Sequence, residues 1–110
     1  MYVVVTPGYF ENVTNAVVNK QVTLPCSAPP GTTAVWYYQQ FCENFDCGMY
    51  PCSYPTEVAI GNQYQIRTNA IGANSLLIND VTKNTTGLYV CKNPETGEIH
   101  YRGLLNIISK

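Results

Sequence analysis

The stretch Thr85-Thr86-Gly87-Leu88-Tyr89-Val90-Cys91 (TTGLYVC) decides the fold of this 110-residue chain. Side chains alternate between the two faces of a strand, so Tyr89 and Cys91 are predicted to lie on the same face. Earlier in the chain, Cys26 ends a second alternating segment, and Trp36 follows it in the next one. Two cysteines 65 residues apart, with a tryptophan after the first and a tyrosine shortly before the second, are typical of two sheets packed face to face.

The rest of the sequence has the composition of short strands separated by turns. Val, Ile, Thr and Tyr are frequent, Gly, Pro and Asn interrupt them, and no segment sustains an apolar period of about 3.6 residues. About nine strands at this spacing predict an all-β sandwich or barrel, with Leu76 and Ile78 facing inward. The segments predicted as strands are 2–6, 17–18, 21–27, 33–40, 57–60, 63–68, 75–81, 87–92 and 99–108, with a hairpin turn at 93–98.

Length and charge limit the classes of function. A chain of this size is expected to form one domain over residues 1–110. The net charge is -1 and 12% of residues are charged, so no basic surface for nucleic acid is expected. No apolar run approaches the length of a membrane span, so direct membrane insertion is not expected. Residues 2–5 do not form a signal peptide, so Met1 is expected to be an added initiator, with any native signal or anchor outside this sequence.

Five cysteines and two glycosylation sequons indicate an oxidising compartment. The sequons begin at Asn12 and Asn84, and each predicts a surface site for an N-linked glycan. The alternative, a cytosolic protein with buried free thiols, is disfavoured by this combination. The chain is therefore expected to be extracellular.

With these segments the chain resembles the immunoglobulin superfamily, and specifically a V-set domain, from end to end. The resemblance implies an immunoglobulin-like β-sandwich of two antiparallel sheets with Greek-key connections and about nine strands. The long interval between Trp36 and Ser75 leaves room for two extra edge strands, as in the V type. The residues that carry the resemblance are 24–26 (LPC), 35–40 (VWYYQQ), 75–81 (SLLINDV) and 85–91 (TTGLYVC).

The same resemblance assigns roles in the core. It implies a disulfide between Cys26 and Cys91, an indole of Trp36 packed against it, and a hydrogen-bonded corner made by Tyr89. Leu76 and Ile78 would complete this core from a neighbouring strand.

Two departures from the family pattern narrow the resemblance. Thr85 stands where the family usually has an aspartate that pairs with an arginine such as Arg67. The last strand, 101–104 (YRGL), lacks the Phe-Gly-x-Gly bulge of rearranging receptor chains, which favours a receptor or adhesion module. In style the chain is similar to the membrane-distal domains of allorecognition receptors of colonial cnidarians, which engage like molecules on neighbouring cells.

The three cysteines outside the expected core pair are Cys42, Cys47 and Cys52. Zinc sites favour shorter spacings and four ligands, and His100 is the only histidine, so no metal site is expected. A redox pair separated by two residues is also absent. At least one disulfide is expected among the three, all three pairings stay open, and the remaining thiol is either free or paired outside this domain.

Binding is the remaining class of function, because no nucleophile, metal triad or cofactor motif is present and no enzyme or cofactor is predicted. In V-set architecture the face built from strands G, F, C and C' is exposed, and aromatic side chains are enriched in interfaces. The alternative is that these rings cover the edge of the sandwich and bury their own loop. The candidate partner-binding residues are Tyr37, Gln39, Val90, Lys92 and Tyr101 on that face, and Phe41, Phe45, Tyr50 and Tyr54 in the loop at 41–54, which also carries Glu43 and Asp46.

The resemblance therefore predicts an extracellular recognition or adhesion domain of a larger membrane-anchored receptor. Its partner would be a protein on an apposed cell, including a second copy of itself. One alternative is an immune-type domain that binds a glycan or a microbial surface, because aromatic rings stack on sugars. The other is a structural spacer within a longer receptor.

Overall fold

The computed structural model describes residues 12–29, 31–44, 48–68 and 74–108, and the strand predicted at 2–6 lies outside them. Within these residues the chain forms nine strands and a single turn of 3-10 helix at Lys83–Thr85, which confirms the all-β prediction. The strands are β1 (Val13–Val17), β2 (Val22–Leu24), β3 (Val35–Asn44), β4 (Gly48–Pro51), β5 (Thr56–Glu57), β6 (Tyr64–Thr68), β7 (Asn74–Ile78), β8 (Gly87–Lys92) and β9 (Ile99–Ile108).

The strands form two sheets, as the sandwich prediction requires. The larger sheet has the order β1-β9-β8-β3-β4, and β5 also pairs with β3. The smaller sheet has the order β2-β7-β6. The pairings are antiparallel except that β1 runs parallel to β9. The first described strand covers 13–17 rather than 17–18.

The core lies between the sheets and follows from the alternation of β8. Tyr89 and Cys91 are fully buried, and a disulfide joins Cys91 to Cys26 across the two layers. The indole of Trp36 is 3% exposed, and its Nε1 donates to the Asn74 carbonyl at 3.1 Å. Other members of this cluster are Leu24, Leu76, Ile78, Val81 and Leu105.

The corner at the start of β8 is closed by hydrogen bonds. The hydroxyl of Tyr89 donates to the Thr85 carbonyl at 2.7 Å. Thr85 Oγ1 donates to the Thr82 carbonyl at 2.7 Å and accepts from the Thr82 amide at 3.1 Å. Thr85 therefore satisfies the turn locally, at the position where an aspartate would be usual. Burial raises the pKa of the Tyr89 hydroxyl far above its ordinary value, so it stays a donor.

A glycine is required at the first residue of β8. Gly87 has φ +155°, and a side chain there would meet the backbone carbonyl of Gln39 on the neighbouring strand. The Tyr38 ring lies against the Tyr89 ring, with centroids 4.8 Å apart, and the Tyr38 hydroxyl donates to the Thr86 carbonyl at 2.8 Å. The glycine in TTGLYVC thus permits close approach of β3 to the corner.

Candidate functional site

The outward face of the larger sheet carries a straight row of four side chains on four adjacent strands. Directly opposed residues share a face of a sheet, and Tyr89, which neighbours Val90 along β8, points into the core. The row therefore faces away from the core. Tyr37 and Val90 are half-buried, and Arg102 and Glu57 at the two ends are exposed. Successive pairings define the row as Arg102 (β9), Val90 (β8), Tyr37 (β3) and Glu57 (β5).

The centre of this row is held by neighbours on the same face. Lys92 Nζ lies 4.8 Å from the centroid of the Tyr37 ring, within the range of a cation–π contact. Gln39, one position further along this face of β3, donates from Nε2 to the Ser53 carbonyl at 3.0 Å. Both contacts limit the motion of the Lys92 and Gln39 side chains.

An apolar cluster lies on this outward face, separate from the core. Phe41, Met49, Leu88 and Leu104 are buried, and Val90 packs against them half-buried. Leu88 precedes the inward-facing Tyr89 on β8, so Leu88 faces outward, and Leu104 lies directly opposite it on the same face. The larger sheet is thus apolar on both sides at its centre.

Two predicted contact residues lie elsewhere than expected. Phe41, predicted in an exposed loop, is 6% exposed because it lies on β3 within the apolar cluster. Tyr101, predicted on the outward face, pairs with Cys91 and therefore faces inward, with its ring centroid 5.6 Å from that of Trp36. A bulge between Cys91 and Lys92 leaves His100 without a directly opposed residue and sets this register.

The stretch predicted as an irregular loop is instead a β-hairpin. β3 continues to Asn44 and pairs antiparallel with β4, with Glu43 opposite Met49 and Cys42 opposite Tyr50. A disulfide joins Cys42 to Cys52. Tyr50 is half-buried. Phe45, Asp46 and Cys47 lie outside the described residues.

A bulged segment follows the disulfide and presents an exposed aromatic ring. Phe41 pairs with Pro51 and Tyr38 with Thr56, so three steps along β3 are matched by five on the other side. Two extra residues are therefore accommodated at 52–55. The Gln40 amide donates to Ser53 Oγ at 2.9 Å and fixes the segment to β3. Tyr54 is 87% exposed.

The two sequon asparagines are both exposed but lie in different places. Asn84 lies in the helical turn, where its carbonyl shares the Tyr38 hydroxyl with the Thr86 carbonyl, each oxygen at 2.8 Å from it. Asn12 lies beside β9, and its Nδ2 donates to the Arg102 carbonyl at 3.0 Å. Neither side chain belongs to the four-residue row.

Potential metal ligands, the one histidine and a surface cleft are the features of the described residues that bear on catalysis. The described residues contain no cluster of three or more potential metal ligands. The His100 side chain is 7% exposed, and its Nε2 lies 4.0 Å from Glu98 Oε1. This nitrogen makes no hydrogen bond within the described part of the chain. A surface cleft of about 210 Å³ between Gln40 and Asn84 is smaller than the roughly 300–1,000 Å³ of most small-molecule sites. In the described ranges, no helix has the length and hydropathy needed to cross a membrane.

Sequence reasoning missed several residues of the outward face. Alternation along β8 was sufficient to place Val90 and Lys92 outward, and the same alternation would have included Leu88. Glu57 and Arg102 were missed because cross-strand partners depend on register, which the bulges at 52–55 and at His100 set.

Comparison with known proteins identifies the architecture. The family model described as "Immunoglobulin V-set domain" matches residues 9–105. No curated protein matches the chain significantly.

Solved structures similar to the chain include first immunoglobulin domains in complexes. The RIG-5 IG1 homodimer has 16% identity, covers 88% of this chain and 90% of its own, and has a TM-score of 0.62. The ZIG-8–RIG-5 IG1–IG1 heterodimer has 15% identity, coverage of 90% and 83%, and a TM-score of 0.58. Dpr11 IG1 bound to DIP-gamma has 12% identity, coverage of 90% and 100%, and a TM-score of 0.59. Identities this low establish similarity of fold.

Proposed function

Because the chain belongs to the immunoglobulin V-set family, we propose that it is an extracellular recognition domain that binds a protein on an apposed cell. The contact surface is the outward face of the larger sheet, centred on Tyr37 and Val90. V-set domains are typically recognition domains rather than enzymes, and the fold with its disulfide indicates an extracellular domain.

The observation that carries this proposal is the apolar character of the outward face. An antiparallel sheet with one solvated face normally alternates apolar inward with polar outward. Here the outward positions of β8 and β9 include Leu88, Val90 and Leu104. Half-buried Val90 and Tyr37 continue this apolar character to the accessible surface, and accessible apolar surface commonly marks a protein-binding site. Because the cluster itself is buried, a partner would contact the side chains around it, above all Tyr37, Gln39 and Lys92.

The solved structures similar in fold support a protein as the ligand. They are IG1 domains in homodimers and heterodimers, so this fold presents surfaces that bind other immunoglobulin domains. In this chain, Tyr54 on the disulfide-braced segment would extend the contact surface at the β5 side. The domain would form part of a larger membrane-anchored receptor. The most specific version of this proposal is a receptor for allorecognition.

The proposal is tested by placing a charge on each of two exposed faces. Tyr37→Arg inserts a second cation beside Lys92 at the centre of the outward face, whereas Thr23→Arg inserts one on the outward face of the smaller sheet. Binding of the chain, displayed multivalently, to cells or to a library of surface proteins is measured by flow cytometry. Tyr37→Arg should lower binding by about tenfold or more, and Thr23→Arg should leave it unchanged.

Two results would contradict the proposal. One is equal binding by both variants and wild type. The other is loss of binding only in Thr23→Arg. Circular dichroism melts of each variant confirm that the fold is retained, since both positions lie outside the core.

A further inference from the structure

We infer that Asn84 carries an N-linked glycan whose first N-acetylglucosamine ring packs into the surface cleft between β3 and the helical turn. Asn12 and Asn84 match the acceptor motif equally in sequence, and the structure distinguishes them. The inference concerns the second half of β3, beyond Tyr37, and does not depend on the proposed function.

The backbone at Asn84 is held in place beside β3. The Tyr38 hydroxyl lies 2.8 Å from the carbonyl oxygens of both Asn84 and Thr86. The Phe41 amide donates to the Thr86 carbonyl at 3.2 Å, so two residues of β3 bond to the end of the turn. Asn84 itself is exposed. A sugar attached to it would therefore start from a defined point at the cleft.

The cleft beside Asn84 combines apolar and polar groups, as an N-acetylated sugar does. Phe41 is buried and Ile107 half-buried, and both present apolar groups to the cleft. Glu43 and Lys83 are exposed, and they supply an acceptor and a donor for sugar hydroxyls. At about 210 Å³ the cleft is smaller than the roughly 300–1,000 Å³ of sites for drug-sized ligands, and it suits a single sugar ring.

Asn12 differs because it lies away from this cleft. Its Nδ2, the atom that would carry a sugar, donates to the Arg102 carbonyl at 3.0 Å. Ile107 is five residues further along β9, or about 16 Å from Arg102. A ring on Asn12 would start beside Arg102, so only a sugar on Asn84 packs into the cleft.

Transfer of the glycan must precede folding of this corner. An oligosaccharyltransferase joins Asn84 Nδ2 to the anomeric carbon of the first sugar of a lipid-linked oligosaccharide. The bond from that carbon to the lipid pyrophosphate breaks, and Nδ2 gives up one proton. The acceptor motif includes the hydroxyl of Thr86, which is 8% exposed in the folded chain. The enzyme therefore modifies the chain before the turn packs on β3.

Attachment is tested by secretion from animal cells that make only high-mannose glycans. An endoglycosidase trims each glycan to a single N-acetylglucosamine, and peptide mass spectrometry locates that sugar. Wild type and Asn12→Gln should both carry it on Asn84. Unmodified Asn84 in the secreted chain would overturn the inference.

Packing of the sugar is measured in trimmed Asn12→Gln, whose remaining sequon is at Asn84. Nuclear Overhauser contacts should join the acetyl methyl protons of the sugar to protons of Phe41 or Ile107. Because the ring would link β3 to the turn, this chain should melt about 4 °C above the same chain with Asn84→Gln added. Absent contacts, or equal melting temperatures, would overturn the packing.

Two controls separate the sugar from the substitutions. Made without glycosylation in a bacterial periplasm, Asn12→Gln with and without Asn84→Gln should melt alike, and a difference there would overturn the stabilising role of the sugar. Adding Glu43→Ala should reduce the increment in melting temperature that the sugar provides. Adding Glu95→Ala, exposed in the hairpin before β9, should leave it unchanged. Equal increments in these two variants would contradict contact between the sugar and Glu43.

Discussion

The outward faces of the two sheets differ in width and in charge. On the smaller sheet the central row has one buried apolar residue between two uncharged polar ones, whereas on the larger sheet charged ends enclose an aromatic and an aliphatic side chain that are half-buried. The rows are Thr23, Leu77 and Gln65 on the smaller sheet, and Arg102, Val90, Tyr37 and Glu57 on the larger.

This difference distinguishes the residues that maintain the fold, which face inward, from the residues proposed to bind a partner, which face outward on the larger sheet. Both sheets direct their inward side chains to one core, which the Cys26–Cys91 disulfide joins. A sandwich needs only that inner surface. The apolar cluster around Leu88 lies outside that core, and the charges at the ends of the row flank the contact surface proposed above.

The largest expected effect comes from breaking the core that the two faces share. Replacing Cys26 and Cys91 together with alanine removes a link that closes 65 residues, and the free energy of unfolding should fall by about 4 kcal/mol. Replacing Cys42 and Cys52 opens a link of 10 residues, and the fall should be smaller, about 3 kcal/mol. Urea unfolding measures both, with Cys47→Ala in every chain to prevent thiol exchange. An equal or reversed ranking would contradict the account of the core.

A smaller loss of stability is expected from Tyr89→Phe, which changes the core and leaves the outward face intact. Tyr89→Phe removes the donor to the Thr85 carbonyl and the contact with the Tyr64 hydroxyl, 3.2 Å away. Because buried carbonyls left unpaired are costly, unfolding should become easier by roughly 1–3 kcal/mol. Binding well below the melting temperature should not change, since Tyr89 points away from the outward face. Tyr54→Phe, at an exposed ring, is the matched control for stability. A Tyr89→Phe chain that is fully stable would refute the role of the corner.

The sequence was sufficient for the sandwich because its signals are local. Alternation around Cys26, Trp36 and Cys91 predicts which side chains face inward, and Gly87 precedes the tyrosine that closes the corner. Each of these depends on residues a few positions apart, so no knowledge of strand pairing was needed.

The face could be predicted only in part because it depends on register. One extra residue at His100 decides that Tyr101 turns inward, and two extra residues at 52–55 decide that Glu57 lies opposite Tyr37. The hairpin made by Phe41 and its neighbours was missed because that segment carries a cysteine and charged residues among its apolar positions. The sequence leaves three pairings open among Cys42, Cys47 and Cys52, and the structure selects the pairing of Cys42 with Cys52.

The outward face of the larger sheet is the contact surface on which this description of the protein depends. The most direct test follows the amide chemical shifts of labelled protein while the surface protein recovered in the binding screen is added. Binding should shift the amides of Tyr37, Val90 and Glu57 and leave those of Thr23 and Gln65 unchanged. Shifts confined to the smaller sheet would contradict the larger sheet's outward face as the contact surface.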